Sequence, residues 1–258
     1  MKLYFKYLSM LLKSQMQYKS SFLMMAIGQF LVSFTTFLSV YFMFSRFHQV
    51  EGFTLSEVLI CFAVTLMAFS FAECFVRGFD VFPRLIKSGD LDRLLVRPIS
   101  VEFQVLTSHM EFSRVGRLFQ AILMLGFAIP NCGVHWTIDK ILTLILMLIG
   151  GIVIFSSLFV LYAGFSFFTL DGLEFMNIFT DGGREFGKYP VSIYGEGVLK
   201  LTTYVVPIAL FQYYPFLYLV GRSEQIGLIF LPLLGFLFFI PCYLFFRFGL
   251  RKYQSTGS

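Results

Sequence analysis

The chain has 258 residues, of which 57% are hydrophobic and only 14% charged, with a mean hydropathy of +0.79 and a net charge of +5. A water-soluble domain carries nearer a quarter charged residues, so this composition excludes one, and 36 Phe and 13 Tyr against a single Trp suit a lipid-facing surface. At roughly 20 apolar residues per helical span, about six spans fit. The fold class read from the sequence is therefore an all-α integral membrane protein with one transmembrane domain over residues 1–258 and no separate soluble domain.

Residues 1–20 mix Lys2, Lys6, Lys13 and Lys19 with Leu, Phe, Tyr and Met, the pattern of an amphipathic helix lying on an anionic lipid leaflet. Span one follows over about Ser21–Phe44 and span two over about Leu55–Phe75. The first span is too long for the apolar core of a signal peptide and lacks a small-residue cleavage site after it, so it is expected to act as an uncleaved anchor.

A charged island, FDVFPRLIKSGDLDRLLVRPIS, occupies residues 79–100 and carries its own start and stop signals. Pro83 suits the first turn of a short helix and Gly89 its end. Asp90 can cap a second short helix, with Asp92 near its N-terminus and Arg97 near its C-terminus as the helix dipole favours, before Pro98 stops it. Leu91, Leu94 and Leu95 share one face at i, i+3, i+4, opposite Asp92 and Arg93, an amphipathic element suited to being gripped by a soluble partner.

A polar approach with Glu111, Arg114 and Arg117 leads into span three, about Leu118–Pro130, whose shortness implies that it starts within that approach. Span four runs over about Ile141–Phe168, and the alternation of apolar with Asp171, Glu174, Asp181 and Arg184 over 165–187 reads as an interfacial segment. Span five, about 198–220, is interrupted by Pro207 and Pro215, and span six, about Ile226–Phe246, ends in a short basic tail. With the N-terminus inside, 17 of the 20 Lys and Arg fall on the inner side and only Arg46, Lys140 and Arg222 outside. The positive-inside rule then places both termini and the island in the cytoplasm, and topology, rather than nucleic-acid binding, accounts for the basic charge.

There is no phosphate-cradling G-x-x-x-x-G-K-[ST], no HExxH and no GxSxG, and His48, His109 and His135 are scattered too widely to converge on a metal. No catalytic or metal site is expected, and Cys61, Cys74, Cys132 and Cys242 lack ligand spacing and read as unpaired thiols. Glu73 is the one carboxylate within a span; it either pairs with Arg77 at i+4 or serves a solute path. Gln29, Ser33 and Thr36 form a polar stripe on span one, for helix packing or for a path or subunit seam. Pro207, with Gln212 nearby, marks a broken helix of the kind that borders a cavity or a re-entrant turn.

The stretch IKSGDLDRLLVRPIS resembles the signature loop of the permease subunits of bacterial type 2 ABC exporters, in particular the branch with viologen and multidrug exporter permeases. KYPVSIYGEGVLKLTTYVVPIALFQYYP resembles that branch's Tyr-Pro segment and Val-Pro-bearing fifth span, and RKYQSTGS its tail, so the resemblance covers essentially the whole chain. It implies a multi-pass permease in the bacterial plasma membrane, paired with a second permease chain, identical or paralogous, and docked on two separate cytoplasmic ABC ATPase subunits that carry ATP and Mg. No cofactor is implied in this chain itself. Pro83 to Pro98 would be the coupling helix, with Leu91, Leu94 and Leu95 as contacts and Asp90, Asp92, Arg93 and Arg97 as polar partners. Gln29, Ser33, Thr36, Glu73, Pro207 and Gln212 would lie on the route or the dimer seam. The rival readings are a non-catalytic membrane scaffold or sensor and a lipid-modifying membrane enzyme; the latter lacks any visible reactive cluster.

Overall fold

The computed structural model describes residues 2–169 and 173–254, and over them the chain is an all-α integral membrane protein. Asp171 of the segment expected at the interface, and Ser255 to Ser258 of the tail, lie outside the described residues. Among the described residues, five helical stretches are long and apolar enough to cross a membrane: Leu3–Phe47, Leu55–Lys87, Phe112–Asn131, Ile138–Phe165 and Ile226–Lys252.

The first stretch is two helices, α1 (Lys2–Gln15) and α2 (Lys19–Phe47), separated at Tyr18, whose backbone (φ −107°, ψ 76°) leaves the helical region. After a short loop, Thr54 caps α3 (Leu55–Asp80) through a capping box with Glu57, satisfying two otherwise orphaned N–H groups. Then come α4 (Phe82–Lys87), α5 (Asp90–Leu95) and α6 (Val101–Leu106), an elbow and its return. α7 (Val115–Asn131) does begin within the Arg-bearing approach, and α8 (Ile138–Phe165) follows. Four short helices, α9 (Asn177–Phe186), α10 (Glu196–Tyr204), α11 (Ile208–Gln212) and α12 (Tyr214–Leu219), precede a tight turn of helix at Ile226–Leu233 and the final α13 (Leu234–Lys252).

α3 is the axis of the bundle, buried along most of its length between α7 and α8, while α13 packs along α8. Phe69 meets the edge of Phe155 at 5.1 Å at mid-height, and Phe79 meets Phe246 at 5.4 Å at the end that also carries α4 and α5, called here the basic end. α2 stands at the rim with little of its surface covered. In lipid no hydrophobic force drives helices together, so close packing decides which helix is central. α3 supplies Ala63, Ala68, Ala72 and Ser70 for that, and α2 exposes Leu31, Val32 and Phe42 instead.

α1 docks on the chain that follows the elbow. Tyr4 and Tyr7 stand edge-on to Phe103 of α6, and the Gln15 side chain donates to the Met110 carbonyl and accepts from the Phe112 N–H at 3.2 Å. Lys6 and Lys13 stay exposed.

The stretch 177–219 differs from the sequence expectation of an interfacial segment followed by one broken span. Asn177, Thr180 and Asp181 line a cavity with Asp80 at the basic end, Arg184 lies over the Phe69 ring at mid-height, and α9 thereby runs into the bundle. After an excursion through α10, the chain resumes at α11, where Phe211 meets Phe155 at 5.9 Å, and climbs to Phe216, 5.7 Å from Phe53 at the opposite end. The breaks fall at Pro207 and Pro215, as the missing N–H groups require. In α9, Arg184, with a side chain 21% exposed, pairs with Asp181 and Glu185, whose carboxylates stay exposed at the surface of that helix. Arg184 and Lys188, counted above as inner-loop charges, belong to this interior passage; the remaining charge imbalance survives without them.

Candidate functional site

Two features stand out, the elbow at the basic end and a groove beside α2 with an ionic floor. The elbow turns at Gly89, whose φ of 72° is the left-handed conformation that glycine adopts without a side-chain penalty. Asp90 was expected to cap α5, but Gly89 holds the cap position and Asp90 is the first helical residue. A two-residue turn between α4 and α5 needs that left-handed residue, whereas a capping Asp needs extended backbone. The Asp90 carboxylate accepts instead from the Ser88 hydroxyl at 2.7 Å and from Arg93 at 3.1 Å, and with Asp92 it places negative charge where the α5 dipole favours it.

The elbow's inner face is fastened to the bundle. Pro83 sits in the first turn of α4, and the Phe82 ring meets Phe167 at 5.2 Å and Phe246 at 5.4 Å. The Gln104 amide donates to the carbonyls of Leu94, at 2.9 Å, and Ile99, at 2.8 Å. Burial and the neighbouring Asp92 carboxylate push the Tyr253 hydroxyl above its ordinary value, so the start of the tail is also set against α5. Leu91 is wholly buried and anchors the element, which corrects its placing among partner contacts; Leu94 is half-buried. The apolar stripe does exist, but it runs off the edge of the bundle, so one turn further along the helix the same face projects free. There Leu95 is 43% exposed, and just past the helix end Val96 is 84% exposed, framed by exposed Arg93, Arg97 and Pro98.

The second feature is built around Glu73. Its carboxylate receives Arg77 of the same helix at 2.8 Å, Arg117 of α7 at 2.5 Å and Arg114, just before α7, at 3.2 Å. Arg77 also reaches Asp80 at 3.2 Å and Glu111 at 3.5 Å, and Arg114 reaches Glu111 at 2.9 Å. Three guanidiniums and three carboxylates thus form one network. The Glu73 side chain is 3% exposed, and a buried ion is tolerated only with such pairing.

Above this network a groove of about 650 Å³ runs between α2 and the α9–Tyr194 stretch, lined by Thr35, Thr36, Ser39, Lys188, Tyr189 and Tyr194 among others. A deeper recess of about 90 Å³ continues it to Ser33, Phe62, Leu66, Arg117 and Arg184. Lys188 pairs with Glu185, and Arg184 reaches Glu185 at 3.1 Å and Asp181 at 3.4 Å.

The six residues placed on a path or seam do not share one surface. Ser33 and Thr36 line the groove, their hydroxyls returned to their own helix's carbonyls. Glu73 touches it through Arg117. Gln29 is absent from its lining, and its side-chain oxygen is buried without a hydrogen-bond partner among the described residues. Pro207 is buried at the break before α11. Gln212 is fully buried and donates to the carbonyls of Tyr189, at 2.8 Å, and Gly187, at 3.4 Å, holding the ends of the excursion together. Its amide nitrogen is taken up by backbone carbonyls that the excursion leaves unpaired, while its side-chain oxygen has no hydrogen-bond partner among the described residues.

Sequence reasoning missed Thr35, Ser39, Arg184, Lys188, Tyr189 and Tyr194 as groove residues. Arg184 and Lys188 at i, i+4 with Glu185 between were a legible signal, hidden by the interfacial reading. Among the described residues no group of three or more His, Cys, Asp or Glu is placed to hold a metal, and the four cysteines are unpaired.

Residues 30–257 match the family model described as ABC-2 family transporter protein. No curated protein and no solved structure matches the chain.

Proposed function

We propose that this chain, which belongs to the ABC-2 transporter family and is a permease of an ABC transporter, forms half of an ATP-driven export pathway and takes its drive through the α4–α5 elbow. The observation that supports this is the elbow's two-sidedness. Leu91, Phe82 and the Gln104 bonds fasten one face to α3, α6 and α13, while Leu95 and Val96 project beyond the bundle. A lever needs both a rigid root and a free contact surface. The partner would be a cytoplasmic ABC ATPase, two copies to a pair of permeases, holding ATP and Mg in its own sites. The acceptor would offer an apolar socket with acidic neighbours for Arg93 and Arg97.

In this reading the basic end faces the cytoplasm of a bacterial cell, as the charge imbalance favours, and α9 to α12 make a sixth, broken crossing between α8 and α13. ATP closes the ATPase pair, the elbow is displaced, and two permeases, identical or paralogous, exchange inward- and outward-facing states. ATP acts through its different affinity for the two states. The direction of transport and the viologen and multidrug branch rest on the resemblance in the elbow and fifth-span sequences.

The test is co-purification and ATP turnover of the complex formed with its cognate ABC ATPase. Leu95→Asp with Val96→Asp should abolish docking, while Ile138→Asp, at an equally exposed position at the opposite end, should leave it intact. Wild-type docking and turnover in the doubly substituted elbow would remove the assignment.

A further inference from the structure

The groove beside α2 carries information about what it holds. Phe62 and Leu66 place its deep end about 17 Å along α3 from the start of that helix at 1.5 Å per residue, well inside the apolar slab, whereas lipid headgroups lie at the two ends of a core ~30 Å thick. Charges at that depth are expensive and mark solute paths. Those facing the groove are Arg117, Arg184 and Lys188, against the single carboxylate of Glu185.

The inventory of donors points the same way. A guanidinium offers five N–H groups and an ammonium three. Arg184 commits its terminal nitrogens to Asp181 and Glu185, Lys188 has one bond to Glu185, and Arg117 directs one nitrogen to Glu73. Donors therefore remain for an incoming oxyanion. A cationic headgroup would meet these three cations and find only Glu185, whose two oxygens already accept from Arg184 and Lys188. The remainder of the groove is apolar and aromatic, with Val32, Val40, Phe186 and the rings of Tyr189 and Tyr194, edged by the α2 hydroxyls. A cavity of about 650 Å³ is the size of an ordinary organic-ligand site.

We propose that this groove binds a single-chain amphipathic organic anion as the transported substrate, with its oxyanion head on Lys188, Arg184 and Arg117 and its tail along Val32, Phe186 and Tyr194. This rests on the permease reading above and gives it a substrate class. Thr35, Thr36 and Ser39 lie along the rim of α2, which belongs to the least covered of the five long helical stretches, so the ligand enters sideways from the lipid.

The test uses the full chain in phosphatidylcholine nanodiscs and a hexadecanoic acid carrying a photoreactive diazirine in its tail. Labelling should map to residues 32–40 and 185–194. Excess hexadecanoate or hexadecyl phosphate should compete, and hexadecyltrimethylammonium should not. Lys188→Gln should cut labelling about tenfold, the equivalent of ~1.4 kcal/mol, while Lys188→Arg should keep it. Equal competition by the ammonium compound, full labelling of Lys188→Gln, or label spread over the lipid-facing helices would each overturn the proposal. So would an unlabelled groove with Thr36→Cys forming disulfide dimers, which would show a second copy of the chain covering it. The headgroup comparison uses the unsubstituted protein, so a misfolded variant cannot mask the answer. The labelling needs no ATPase, so its failure leaves the coupling reading to stand or fall on ATP turnover.

Discussion

Arg117 of α7 lies 2.5 Å from Glu73 of α3, and this contact joins the groove floor to the network that surrounds the start of the elbow. Arg77 continues it from Glu73 to Asp80, the last residue of α3 before α4. Groove and elbow are therefore two ends of one chain of ion pairs.

Replacing Glu73 by Gln should leave three guanidiniums short of their shared acceptor. Removing one partner of a buried ion pair costs ~3–5 kcal/mol, which for a protein of this size lowers the melting temperature by roughly 10 °C. Arg117→Met should be milder, because Arg77 and Arg114 still hold Glu73. Thermal unfolding of the purified chain decides this, and a Glu73→Gln protein as stable as the wild type would show that the network is not holding α3 to α7.

Gly116 and Gly28 should behave oppositely to the same substitution. A methyl group at Gly116 would lie 1.9 Å from the Ala26 carbonyl oxygen, so α7 must move away from α2; at Gly28 nothing lies within 4 Å. Gly116→Ala should cost ~1–3 kcal/mol, as overpacking does. Gly28→Ala should be neutral or gain up to ~1 kcal/mol from helix propensity. The same melting assay compares them, and similar losses for both would contradict the observed packing of α2 on α7.

His109, in the connection from α6 to α7, gives stability a pH dependence. Burial lowers its pKa from the ordinary value, opposed by Glu111 and Asp80 and reinforced by Arg77 and Arg84. The folded protein therefore favours neutral imidazole. Its contribution is present above about pH 6.5, the ordinary histidine value, and is lost as the pH falls through the lower folded value. His109→Gln should flatten the decline in melting temperature below about pH 6.5 relative to wild type; an unchanged profile would place the acid sensitivity in other groups.

Much of the elbow was legible because its signals are local. Pro83 and Gly89 mark turns whose backbone angles few other residues adopt cheaply. The depth of each leucine was not legible. Leu91 and Leu95 lie on one stripe, and only the position of the bundle's edge buries one and exposes the other. The Glu73–Arg77 pair could be read from i, i+4 spacing, whereas Arg114 and Arg117 reach Glu73 across about 40 residues of sequence through the packing of α7 on α3.

An all-α membrane protein with a charged cytoplasmic-type loop and two proline breaks late in the chain follows from the residues alone. Apolar content, charge placement and proline chemistry act residue by residue and need no partner. Which helices touch, how α9 meets the bundle, the tie from Gln212 to Tyr189 and the facing of Arg184 and Lys188 onto a groove and its recess depend on contacts between distant segments. In a soluble helix the apolar stripe announces the buried face. Here lipid and protein interior are equally apolar, so helices such as α3 and α8 are hydrophobic all round, and their orientation is set by small-residue packing and ion pairs between distant segments.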